Sequence, residues 1–206
     1  MVINVMRIGL DIDDTISNTN FILMKYAYKY NEEHGNRQLI KYNTNDFSEV
    51  FGWNDDEVYS FFRTYYLNAL EEIEPKYGVK EVLEKLRKEG HEIIFITVRN
   101  DRECGGENKA HRLTTKWFKK YNIPFDELHF DIKDKKTFCK EHNINVFMDD
   151  SIKTVLAVKE LGIKTFIAMN DFNLDFKDEK IINVYNMNQF YKEINSILEK
   201  ANEVIE

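Results

Sequence analysis

A chain of 206 residues with a net charge of -7 has no basic footprint for tracking the phosphates of duplex nucleic acid. Its 43% hydrophobic and 32% charged residues suit a soluble globular protein with one α/β core and room for a modest insertion. No run approaches a membrane span, and no basic segment precedes a long apolar stretch at the N terminus, so a cytoplasmic protein without membrane contact is expected.

The first apolar run, residues 5–10, stops in Asp11-Ile12-Asp13-Asp14-Thr15. Such a run reads as a buried strand with its acids at the carboxyl end, where open parallel sheets bind ligands. In a strand, Asp11 and Asp13 share a face and repel each other. A divalent cation is the simplest neutraliser, and an all-oxygen donor set favours magnesium over zinc. Asp14 and Thr15 suit a turn that caps the next helix.

Helical patterning follows over 21–30, then a turn-like patch at 43–47, then a second helical block over 55–70. Residues 17–76 hold about half of the chain's aromatic residues and no convincing strand, and read as a small helical insertion. From Val79 the pattern changes. Apolar residues at helical spacing end at Gly90, and 92–97 is a buried strand closing on Thr97. A polar loop containing Arg99 and Arg102 leads to a helix over 109–121. A short strand at 128–130, a short helix over 135–142 and a strand over 146–148 ending in Asp149-Asp150 come next. A helix over 152–161, a strand over 165–168, a candidate edge strand over 181–184 and an amphipathic helix over 187–201 complete the chain. Strands alternating with helices predict a mostly parallel sheet with right-handed crossovers.

Cys104 and Cys139 have neither metal-ligand nor thioredoxin-like spacing and are expected to be reduced thiols. The histidines His34, His91, His111, His129 and His142 are scattered without a metal signature, and each reads as a surface or helix-end residue.

Three strand ends therefore carry matched chemistry: Asp11 to Thr15, Thr97, and Asp149-Asp150, with Lys135 and Lys136 opening the helix before the last. Carboxylates, a hydroxyl, a lysine and a metal-binding pair suit phosphoryl transfer. Together these residues resemble the haloacid dehalogenase-like phosphohydrolases, through the D-x-D-x-T stretch, the strand-end Thr97, the lysine, and Asp149-Asp150 followed by Ser151. The resemblance covers almost the whole chain. It implies an α/β, Rossmann-like core at residues 1–16 and 77–206, with a helical cap at 17–76. It further implies Asp11 as a nucleophile forming an aspartyl-phosphate, Asp13 as acid and then base, and Thr97 and a lysine on the phosphoryl group. Magnesium would be held by Asp11, the Asp13 backbone carbonyl and Asp150, with Asp149 acting through a bound water. Counting back from the acidic pair as that family does favours Lys135 over Lys136, with Asp134 as the helix cap.

Within that family, Thr97-Val98-Arg99, the helix bearing Thr115 to Phe118 and the aromatic insertion look most like the 5'-deoxyribonucleotidase branch. The implied partner is a small phosphorylated metabolite, a nucleoside monophosphate above all. Phe21, Trp53 and Phe62 are candidates to stack its base, and Arg99 and Arg102 to hold a second charged group. A phosphatase of sugar phosphates is the alternative. A receiver-like signalling domain fits less well, since it would place its phospho-acceptor on a middle strand and need no insertion. Oligomeric state has no signature in the sequence.

Overall fold

The computed structural model of the protein describes residues 5–101 and 106–203. Arg102 and Cys104 lie outside the described residues. Six strands form one parallel sheet: β1 (Arg7–Leu10), β2 (Glu92–Ile96), β3 (Glu127–His129), β4 (Val146–Asp149), β5 (Lys164–Ala168) and β6 (Ile181–Val184), in the order β3-β2-β1-β4-β5-β6. The candidate edge strand over 181–184 is thus β6, paired parallel to β5. The helices are α1 (Thr19–Glu33), α2 (Phe47–Phe51), α3 (Asp55–Glu72), α4 (Val79–Lys88), α5 (Lys109–Tyr121), α6 (Lys135–Glu141), α7 (Ile152–Lys159) and α8 (Met187–Glu203). Among the described residues, no helix is long and apolar enough to cross a membrane.

The central strands β1, β2 and β4 are almost entirely buried, which is why their sequences are continuous apolar runs rather than alternating ones. Gly9 sits where a Cβ would come within 3.0 Å of Ile96 and Ile144 side chains, so only glycine lets that layer close onto β1. The register sets Leu10 beside Phe95 on one side and Met148 on the other. Asp11 N–H then donates to Met148 O at 3.0 Å, placing the two acidic strand ends side by side.

Between β1 and α4 the chain forms the helical layer α1 to α3. Its exit and return segments run next to each other: Asn18 N–H donates to Glu74 O at 2.9 Å and Lys76 N–H to Ile16 O at 2.8 Å. The five-residue α2 starts at the last residue of the turn-like patch and runs through residues that the sequence pattern assigns to no element. Asp46 starts it by accepting from Ser48 N–H at 2.8 Å, and five residues are too few to show a helical period. A reciprocal capping box between Asn54 and Glu57 starts α3. Phe51 and Trp53 stack at 4.5 Å inside the layer, and Phe61 is fully buried with them. Trp117 on α5 donates to Ile73 O at 2.9 Å and so fastens the end of α3 to the sheet's helices.

Candidate active site

The carboxyl ends of β1, β2 and β4 meet in one polar cluster. Asp11, one residue past β1, is 3% exposed, and Asp149, the last residue of β4, is 1% exposed. Both face Lys135, the first residue of α6: its ammonium donates to Asp11 Oδ1 and, at 2.7 Å, to Asp149 Oδ2. A buried lysine at a helix start is unfavourable unless anions compensate it, and here two do. They keep the Lys135 ammonium charged although burial alone would lower its pKa. Asp134 caps the helix by accepting from Thr137 N–H at 3.0 Å, which sets where α6 begins and so where Lys135 points. Lys136 turns outward to Glu160. The two adjacent lysines thus lie in opposite environments, with Lys135, the one that the family count favours, at the acids.

Asp11, Asp149 and Asp150 each offer a carboxylate oxygen within 4.8 Å of the others. Burial pushes the Asp11 carboxyl up to about 7, against the pull of Lys135 and with a further push from Asp149 and Asp13. Asp150 is raised well above the usual range, by burial first and then by Asp149, Asp11 and Asp14. Three crowded carboxylates with one lysine among them form an oxygen donor set that a hard divalent cation fits.

Asp13 points elsewhere. Its carboxylate receives a two-pronged contact from Arg99, with Nε to Oδ2 at 2.9 Å and Nη2 to Oδ1 at 2.6 Å, and Thr19 Oγ1 donates to Oδ1 at 2.6 Å. Burial would raise its pKa, but the Arg99 charge and hydrogen bonds win and hold it below the ordinary carboxylate range. Arg99 is itself held by Thr114 Oγ1 at 3.0 Å. Thr97 is fully buried, and its hydroxyl accepts Arg99 N–H at 3.1 Å, leaving the hydroxyl proton available to another acceptor.

The turn that carries Asp13 is braced from below. Asp14 adopts a left-handed conformation, φ 53°. Its carbonyl receives Lys76 Nζ and, at 3.0 Å, Asn170 Nδ2, and its side chain accepts Asn20 N–H at 2.8 Å. Asn173 Nδ2 donates to Asp150 O at 2.9 Å. These braces escaped the sequence reading, because an isolated Lys or Asn in a loop carries no pattern.

No family model matches the chain. A Bacillus cereus protein named "Putative nucleotidase" is 29% identical over 178 residues, covering 82% of this chain and 88% of that protein. A solved structure of a haloacid dehalogenase-like family hydrolase from Streptococcus pneumoniae superposes with a TM-score of 0.65 at 13% identity, covering 94% of this chain and 100% of the other. A β-phosphoglucomutase from Clostridium difficile does so at 0.61 and 15%, covering 98% and 99%. The chain has the haloacid dehalogenase-like fold.

On this haloacid dehalogenase-like frame, a cavity of about 390 Å³ opens between the strand ends and the helical layer. Asp13, Arg99 and Asp150 line its floor, and Phe47, Phe62 and Tyr66 line its upper part. Among the aromatic candidates, Phe62 therefore faces the cavity. Trp53 does not: it is 5% exposed and packed among Phe51, Tyr30 and Phe61, because a small helical layer must build a core of its own. Phe21 is 75% exposed on α1 and also outside the cavity lining. Arg99 reaches the cavity, but its charge is directed at Asp13 rather than outward. Lys133, the next candidate for the positive charge after Lys135 and Lys136, also lines the cavity.

Proposed function

We propose that the protein is a magnesium-dependent phosphomonoester hydrolase that works through an aspartyl-phosphate on Asp11, with a nucleoside 5'-monophosphate as substrate. The observation that carries the reading is Asp11, buried against Lys135 and within 4.8 Å of Asp149 and Asp150, at the strand ends where Asp13, Arg99 and Asp150 line the cavity. Under this reading the helices between 17 and 76 act as a cap over the core. The B. cereus relative named as a nucleotidase and the hydrolase named among the similar structures point the same way.

The Asp11 carboxylate attacks phosphorus, and the ester P–O bond breaks as Asp13 gives its proton to the leaving oxygen. Asp13 then takes a proton from a water that attacks the aspartyl-phosphate, releasing phosphate and restoring Asp11. Lys135 aims the attacking oxygen, and the Thr97 hydroxyl donates to the phosphoryl group. In the structure Arg99 favours the ionised Asp13, the form that the second half needs. An incoming phosphate dianion competes for Arg99 and repels the Asp13 charge, which favours the protonated form that the first half needs. Asp11, Asp149 and Asp150, with the Asp13 carbonyl, would hold the magnesium, whose charge would offset that of the phosphate.

Phe47, Phe62 and Tyr66 provide aromatic faces above the phosphate position, where stacking a base contributes about 1 to 3 kcal/mol. The test is phosphate release from deoxynucleotides, ribonucleotides and sugar phosphates with and without magnesium. Nucleoside monophosphates should give the highest kcat/KM, and only with magnesium. Far faster turnover of a sugar phosphate overturns the substrate and leaves the chemistry standing; no turnover of any phosphomonoester overturns both.

A further inference from the structure

A second cluster of metal-ligating side chains lies at the other end of α6. Glu127 and His129 are alternate residues of the edge strand β3, so their side chains stand on one face of the sheet. His142, at the C-terminal cap of α6, faces them. One ligand atom from each of the three lies within 4.8 Å of the others. His129 Nε2 is 2.8 Å from Glu127 Oε2, and the two imidazole rings are 5.3 Å apart. None of the three belongs to the acid cluster, and α6 separates His142 from Lys135 by about 10 Å of helix.

We infer that Glu127, His129 and His142 form a binding site for a borderline transition-metal ion, zinc above all. Two imidazoles and one carboxylate with open positions make a donor set that zinc accepts and magnesium does not favour. Glu127 is hydrogen-bonded from outside the cluster, and both imidazole rings pack against Phe138. Arg7 Nη2 donates to Glu127 Oε1 at 2.7 Å, leaving Oε2 for the ion, and the His142 ring stacks on Phe138 at 3.8 Å. Arg7 Nε also holds His142 O at 2.9 Å, tying the cap of α6 to β1. Among the described residues, neither ring nitrogen of His142 has a hydrogen-bond partner, although the ring is half-buried and held in place. The local charges, Glu127 and Glu92 against Arg7, leave one negative charge for a cation to neutralise. Zinc binding at His129 Nε2 displaces the hydrogen shared with Glu127, and the neutral ring keeps its proton on Nδ1. The half-exposed site leaves water to complete the coordination.

The experiment titrates zinc into the full chain in excess magnesium, read by calorimetry and by thermal unfolding. One zinc equivalent should bind and raise Tm. His129→Gln and His142→Gln should each weaken binding by at least about tenfold, the double variant should lose it, and Asp150→Asn should keep it. Unchanged binding in the double variant, loss in Asp150→Asn, or no binding to the unaltered chain overturns the site. On the unaltered chain, zinc should also protect His129 and His142 from diethylpyrocarbonate, read by peptide mass. That readout decides the question if a variant does not fold; equal modification with and without zinc overturns the site too.

Discussion

Arg99 and Asp13 form a two-pronged ion pair, with contacts of 2.6 and 2.9 Å, between the loop after β2 and the turn after β1. The guanidinium is 2% exposed and the carboxylate 26%, so the pair closes one side of the candidate site while leaving Asp13 reachable from the cavity.

Arg99→Lys keeps the charge but loses the fork. The Asp13 pKa, lowered in the structure chiefly by Arg99 against the effect of burial, should then rise. A lowered carboxylate contributes stability above its unfolded pKa and loses it as pH falls through the folded one, so the variant should keep less of that stability near neutrality. In a pH–rate profile the acid limb should move to higher pH, with kcat lower by about 10²-fold. An unmoved limb would place the titrating group elsewhere.

Asp11→Asn should remove turnover and spare the fold. Burial raises the Asp11 carboxyl to about 7, which means the folded protein disfavours its charge. Replacing it by a neutral amide should therefore leave Tm equal or higher. Parallel measurement of Tm and phosphate release checks both halves.

Lys135 and Lys136 are adjacent in sequence but opposite in environment. Lys135→Ala strands two buried carboxylates and should cost about 3 to 5 kcal/mol in magnesium-free urea unfolding, along with activity. Lys136 pairs on the surface with Glu160, so Lys136→Ala should stay within about 0.5 kcal/mol and remain active.

Phe62→Ala should raise KM for nucleotides more than for a small aryl phosphate, since it removes an aromatic face from the cavity. Trp53→Ala should act on stability instead, by about 3 to 5 kcal/mol, because its ring fills the core of the helical layer. Phe21→Ala should change neither, as its ring is exposed away from the cavity. Kinetics on folded protein, alongside denaturant unfolding, separates the three.

The sequence by itself determined the alternation of strands and helices, the parallel sheet, and the acids at the ends of β1 and β4. These are local properties: apolar runs report burial, and carboxylates at the end of such a run sit at the sheet's edge whatever else the chain does. Counting back from the acidic pair, as the resembled family does, also favoured Lys135 over Lys136. Only the tertiary structure decided where long side chains go. Arg99 reads in sequence as a loop charge free to meet a ligand, and the fold turns it onto Asp13, 86 positions away. Trp53 and Phe62 look alike as aromatics of a helical insertion, and packing buries one while presenting the other. His129 and His142, with no spacing to link them, come together because β3 runs beside β2 and α6 ends over that edge. A periodic pattern records which face of an element is buried. It does not record which element lies opposite, and pairings of charge, imidazole and aromatic face depend on that.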